Sequence, residues 1–175
     1  MSFDATPRTP ALKSRLPDVG TTIFSVMSAL AAKHGAVNLG QGFPDFDGDP
    51  KLVDAVAAAM RAGHNQYPPM PGVPALRQRL SEKIEHLYGH RYDPDTEITI
   101  TAGATQGILT AVLALVGPGD EVIVFEPCYD SYGPAITLAG ATVVRVPLDL
   151  RSFRIDFDRL RAALSPRTRA VIVNT

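Results

Sequence analysis

The sequence has 175 residues, 45% apolar and 20% charged, the balance of an ordinary globular protein large enough to bury a core of its own. A formal net charge of -1 leaves no basic field for nucleic acid or an anionic membrane surface, and a single cysteine, Cys128, excludes an internal disulfide framework. No apolar run reaches the roughly 18 residues of a membrane span, and the opening MSFDATPRTPALKSRLP lacks the apolar centre of a signal peptide, so a cytoplasmic setting without membrane contact is expected.

Residues 1–20 carry prolines and little periodicity and read as an extended arm. Thr21 or Thr22 is placed to cap a helix running to His34, with Ile23, Val26, Leu30 and Ala31 on one face and Gly35 as its stop. Val37 to Phe46 reads as a short strand entering a loop rich in glycine and proline. Asp49-Pro50 opens a second helix that runs to Arg61. Asn65 to Gly72, crowded with prolines, is loop. From Val73 to Tyr88 the positions Leu76, Leu80, Ile84 and Leu87 recur at helical spacing.

After Asp95 short apolar runs alternate with helical ones. Strands are expected at Ile98–Thr101, Glu121–Phe125, Thr142–Val146 and Ala170–Val173. The helices between them are expected at Ala104–Val116, Asp130–Ala139 and Asp156–Leu164. Apolar strands separated by helices describe an α/β fold, a mostly parallel sheet with helices on both faces. The expected division is an arm at 1–20, a helical segment at 21–94, and the first part of a larger sheet domain at 95–175. That domain reads as unfinished, since the chain stops at Asn174-Thr175 directly after a strand, where an open α/β sheet turns into a functional loop. An uncompleted sheet leaves a bare edge and an uncovered face, so poor solubility or dependence on a partner is expected.

Three motifs carry chemistry. Thr101-Ala102-Gly103-Ala104-Thr105-Gln106-Gly107 joins a strand to a helix. Small residues at Gly103 and Ala104 let a ligand approach the backbone, the first helical turn has N–H groups without internal acceptors, and Thr105 adds a hydroxyl. This suits a phosphate group; it suits equally a capped turn that binds nothing. It is neither a P-loop nor a dinucleotide fingerprint, lacking both spacings. Phe125-Glu126-Pro127-Cys128-Tyr129-Asp130-Ser131-Tyr132 ends the next strand, where Tyr129 has the place either to stack on a flat ring or to pack. Cys128 has no neighbouring histidine in sequence to activate it and reads as packing. Leu39 to Phe46 offers Gly40 and Gly42 as backbone donors to a carboxylate, or an ordinary loop with positive-φ glycines. Histidines 34, 64, 86 and 90 show no metal-ligand spacing, so no metal is expected.

Together and in this order, Leu-Gly-Gln-Gly-Phe-Pro-Asp-Phe, Asn-Gln-Tyr, Thr-Ala-Gly-Ala-Thr-Gln, Glu-Pro-Cys-Tyr-Asp-Ser-Tyr and Val-Ile-Val-Asn-Thr resemble the fold-type I pyridoxal 5'-phosphate aminotransferases. The likeness is greatest to the class I branch holding methionine aminotransferase and kynurenine (glutamine) transaminase. It spans residues 20–175 and the first half of such an enzyme. The resemblance implies that Gly103, Ala104 and Thr105 hold the cofactor phosphate and that Tyr129 stacks on the pyridine ring. It implies that Tyr67 reaches the phosphate of a neighbouring subunit, in a homodimer with shared active sites, and that Gly42 contacts the substrate carboxylate. Asn174-Thr175 would open an Asn-Thr-Pro-His-Asn-Pro run.

The implied activity is transfer of the amino group of methionine, an aromatic or a similar amino acid to a 2-oxo acid, ping-pong through pyridoxamine phosphate. A carbon–sulfur β-lyase on the same site and a non-catalytic binding module or fragment are the alternatives. The family's Schiff-base lysine, the Asp beside the pyridine nitrogen and the carboxylate-binding Arg fall beyond Thr175. The lysines present, Lys13, Lys33, Lys51 and Lys83, all precede the sheet domain, and none takes that role. No catalytic residue is therefore assigned, and this chain by itself is expected to be inactive.

Overall fold

The computed structural model describes residues 13–42, 44 and 46–174. The arm up to Leu12, Phe43 and Asp45 of the glycine loop, and Thr175 lie outside the described residues. The elements are α1 (Ile23–His34), α2 (Pro50–Arg61), α3 (Pro74–Tyr88), α4 (Gly103–Leu115), β1 (Glu121–Glu126), α5 (Tyr132–Leu138), β2 (Thr142–Pro147), α6 (Phe157–Ala163) and β3 (Thr168–Ile172). One compact unit holds the residues up to Ile23 together with those from Ile108 onward; the other is Phe24–Gly107.

In the first unit β1 is the central strand of a parallel sheet of order β2-β1-β3. Glu121 pairs with Thr142 on one side and Thr168 on the other, with a register irregularity between Glu121 and Val122 on the β3 side. Because successive strand residues face opposite sides, the run Glu121-Val122-Ile123-Val124-Phe125 splits between two cores. Val122 and Val124 pack with Val112, Val116, Tyr132 and Ile136 from α4, the turn after it and α5. Ile123 and Phe125 pack with Val146, and with Leu160 and Ala163 of α6. Helices therefore cover both faces, and the molecule is a mixed α/β protein with a parallel sheet, as the alternating pattern predicts.

A polar cluster closes the N-terminal end of the sheet. The Glu121 carboxylate accepts from Ser165 Oγ at 2.6 Å and from Arg167 Nε at 2.8 Å, while Glu121 N donates to the Arg167 carbonyl. These donors, Ser165 first and Arg167 next, hold the carboxyl below its usual range. A depressed folded-state pKa gives stability that is present above the unfolded carboxyl's titration and is lost as pH falls through the folded one. We expect the urea midpoint of the chain to fall on acidification through the carboxylate range, and Glu121→Gln to flatten that slope. Equal slopes for the two proteins would disprove the assignment.

In the second unit, α2 starts at Pro50 behind Asp49, whose carboxylate accepts from Lys51 N at 2.9 Å, and α3 ends at Gly89 with φ 71°. The polar residues Arg77 and Ser81 are the buried positions of α3. Arg77 donates through Nε to the Gly72 carbonyl at 3.3 Å and through Nη1 to the Pro94 carbonyl, and pairs with Asp95 at 3.2 Å. Ser81 Oγ donates to the Tyr92 carbonyl at 2.5 Å. The residues flanking α3 are thus tied to it by polar anchors, which a search for apolar spacing does not reveal.

Two expected strands do not form. Val37–Leu39 is irregular, since Asn38 turns on itself: its Oδ1 accepts from Gly40 N at 3.0 Å and its Nδ2 donates to Ser28 Oγ at 3.0 Å. Ile98–Thr101 is unpaired by any strand; Ile100 N instead donates to the Pro71 carbonyl at 2.9 Å. A strand exists only through a ladder, and among the described residues no strand is paired with this segment. The apolar face expected on α1 remains exposed, with Val26 and Leu30 half open.

Candidate functional site

The turn from Thr101 into α4 lies in the second unit. Gly103 has φ +82°, a conformation that strains any residue with a Cβ, although a methyl there would meet no atom within 4 Å. The glycine is required by backbone shape and not by crowding. Thr101 Oγ1 donates to the Gly103 carbonyl at 3.0 Å, and Gln106 Oε1 turns back to accept from Ala102 N at 2.5 Å. Gly103 N donates to the Thr101 carbonyl at 2.8 Å. With those groups engaged, the N–H groups of Ala104 and Thr105 are first-turn donors with no acceptor inside the helix, and Thr105 is exposed beside them. Gln106, quoted in the motif without a role, closes the turn by reaching back to Ala102. Gly107 is close-packed, since a Cβ there would lie 3.3 Å from Thr101 Oγ1.

Also in the second unit, Tyr67 projects from the 65–72 loop with 99% of its surface exposed. Gly42 is exposed, and a Cβ on it would meet nothing within 4 Å. Neither Gly40 nor Gly42 takes positive φ, contrary to the simple loop reading. Gly40 is demanded by proximity instead: a Cβ there would lie 3.0 Å from Met27 Cβ on α1.

Tyr129 lies in the first unit, after the cis Glu126–Pro127 peptide that leaves β1. A cavity of about 290 Å³ opens there, lined by Phe125, Pro127, Cys128, Tyr129, Tyr132, Leu148, Ile172 and Asn174. Phe125, Leu148 and Ile172 come from the C-terminal ends of the three strands or the residue just beyond, where open parallel sheets place ligands. The sequence named only Tyr129 as a candidate for this wall, because the strand-end residues that join it depend on the strand order β2-β1-β3. Tyr129 is about half exposed and its ring meets Tyr132 edge to face, centroids 5.9 Å apart and planes at 64°.

Burial, followed by the Glu126 carboxylate, pushes the Cys128 thiol up from its usual range. Glu126 itself pairs with Arg145 Nε at 2.7 Å. A thiol held protonated is a poor nucleophile, but Cys128 is exposed and does not pack as the sequence suggested, since it lies on the loop beyond β1. Among the described residues no group of three or more His, Cys, Asp or Glu is arranged to hold a metal ion, and no helix is long and apolar enough to cross a membrane.

Chemically, the first unit offers a slot with an aromatic wall, suited to a flat ring. The second offers a helix start suited to an anion. Comparison with known proteins gives these features a context. The family model described as Aminotransferase class I and II matches residues 34–175. The methionine aminotransferase of Escherichia coli K12 is 54% identical over 163 residues, covering 93% of this chain and 42% of the relative. A crystal structure of an E. coli protein identified as a methionine aminotransferase superposes with a TM-score of 0.88 at 53% identity, covering 92% of this chain and 42% of that one. The N-succinyldiaminopimelate aminotransferase of Mycobacterium tuberculosis gives 0.87 at 53%, covering 94% and 44%. The chain thus spans less than half the length of these relatives.

Proposed function

Because the chain belongs to the class I and II aminotransferase family, we propose that it is the cofactor-docking part of a pyridoxal 5'-phosphate aminotransferase that moves an amino group from an amino acid to a 2-oxo acid. The observation that carries this reading is the start of α4, where a positive-φ glycine and free first-turn donors form a cradle for a phosphate. When bound, the cofactor supplies the electron sink for amino-acid chemistry.

The chain's own residues do the docking. The N–H groups of Ala104 and Thr105 and the Thr105 hydroxyl, on the turn shaped by Gly103, would hold the phosphate. Tyr129 supplies a stacking wall for the ring. Gly42 offers its open backbone to the substrate carboxylate, and Tyr67, free of its own fold, reaches the phosphate of a second copy in a cytoplasmic homodimer. Residues 1–20 act as an arm, 21–94 as the start of the small domain and 95–175 as the start of the large one. Lys13, Lys33, Lys51 and Lys83 hold no catalytic role. Methionine or an aromatic amino acid is the donor; the name of the E. coli relative and the kynurenine transaminase resemblance support it.

Docking is tested on this chain. Pyridoxal 5'-phosphate is expected to bind more tightly than pyridoxal. Ala104→Pro keeps a first-turn conformation but removes one N–H donor, so it should cut that preference by about tenfold with the far-ultraviolet circular dichroism unchanged. Equal affinity of the unmodified chain for the two compounds would refute the phosphate assignment. Activity is tested on the longer protein by 2-oxo acid-dependent transfer from methionine, kynurenine and N-succinyldiaminopimelate in parallel; release of pyruvate without an acceptor would instead indicate a β-lyase.

A further inference from the structure

We infer that Tyr132 is a positioning residue for Tyr129, fixing the tilt of the ring that forms the slot's wall; the inference rests on the docking role proposed above for Tyr129. Tyr129 is carried on an irregular loop and is 46% exposed, whereas Tyr132 is only 5% exposed and belongs to the core of Val112, Val116, Val122, Val124 and Ile136. The two are joined twice. Tyr132 N donates to the Tyr129 carbonyl at 3.3 Å, and the rings meet edge to face at 5.9 Å and 64°. Edge-to-face geometry brings the positive rim of one ring against the negative face of the other, so it restrains tilt as well as distance. A flat ligand stacks only on a ring held at one inclination, and an exposed aromatic side chain otherwise loses rotamer freedom on binding. Tyr132 supplies that restraint before a ligand arrives, because its own position is set by the sheet core. Both rings line the same cavity, so the brace acts at the binding wall itself.

The alternative is that Tyr132 only fills the core, and the experiment separates the two. The full 175-residue chain is prepared as wild type, Tyr132→Phe, Tyr132→Leu, Tyr129→Leu and the double variants Tyr129→Leu/Tyr132→Phe and Tyr129→Leu/Tyr132→Leu. Two signals are read. One is the near-ultraviolet circular dichroism contributed by Tyr129 without ligand, taken as the difference made by Tyr129→Leu in each Tyr132 background; the other is the circular dichroism induced in pyridoxal 5'-phosphate per molecule bound. Tyr132→Phe keeps the ring edge and should retain both signals. Tyr132→Leu keeps apolar burial but should lower the induced signal about fivefold, and Tyr129→Leu/Tyr132→Leu should be no worse than Tyr129→Leu alone. The inference is overturned if Tyr132→Leu loses stability but keeps both signals, or if its effects merely add to those of Tyr129→Leu. If the wild type binds no pyridoxal 5'-phosphate, the docking proposal fails, and the ligand-free tyrosine signal still decides whether Tyr132 orders Tyr129.

Discussion

Replacing Gly72 with alanine is expected to destabilise the second unit by about 2–5 kcal/mol, a large effect for the addition of one methyl group. Two independent costs combine. Gly72 has φ +104°, which residues with a Cβ rarely adopt, and an ideal Cβ there would lie 2.3 Å from Ile100 Cγ1 and 2.7 Å from Ile100 Cβ. The neighbour cannot easily retreat. Ile100 N is bonded to the Pro71 carbonyl at 2.9 Å, and the Gly72 carbonyl accepts from the buried Arg77. The loop that carries Tyr67 is thereby pinned to the segment that leads into the Gly103 turn. Urea titration should show a lower midpoint at unchanged slope. In a double-mutant cycle with Ile100→Gly, about 1–3 kcal/mol of the loss should be recovered as coupling, the strain of positive φ remaining. A Gly72→Ala protein within about half a kcal/mol of the wild type would show that the approach seen here is not maintained in solution.

The second large effect concerns Ile136. It is fully buried on α5, between the central strand and α4, and packs with Val122, Val124, Val112, Val116 and Tyr132. Ile136→Ala should cost about 2–5 kcal/mol and Ile136→Val about 0.5–1.5, the graded response of a close-packed site. The loss should also reach the slot, because α5 begins at Tyr132 and the loop before it carries Tyr129. Thermal or urea unfolding measures the first part. Near-ultraviolet circular dichroism of the folded variant measures the second. If Ile136→Ala costs less than about 1 kcal/mol, α5 is not seated on the sheet as described.

Much of this arrangement was legible in the sequence, and what was missed has physical reasons. Helix limits were readable where a residue has a local job: Asp49-Pro50 opens α2, and Gly35 and Gly89 close α1 and α3 with positive φ. The central strand β1 was readable because residues buried on both faces form an unbroken apolar run, and β2 and β3 because β-branched residues concentrate in them. The segments at Val37 and Ile98 misled, since β-branched residues signal strand tendency but not whether an edge is available to pair with. Tyr129 was singled out because it stands beside a strand end. Phe125, Leu148 and Ile172 joined it only through strand order, which no local pattern encodes. Arg77 escaped notice because a buried arginine breaks the apolar rule and is explained only by the carbonyls it meets.

Cys128 adds a practical property. It is the one thiol in the sequence, it is exposed, and it sits on the rim of the slot next to Tyr129. A fluorophore or spin label attached there needs no removal of competing cysteines and reports directly on whether the slot is filled. The raised titration of this thiol sets the working condition: labelling accelerates with alkalinity, and a bound ring should slow it by covering the sulfur. The residue with no part in the chemistry is thus the molecule's own attachment point for watching the chemistry's cofactor arrive.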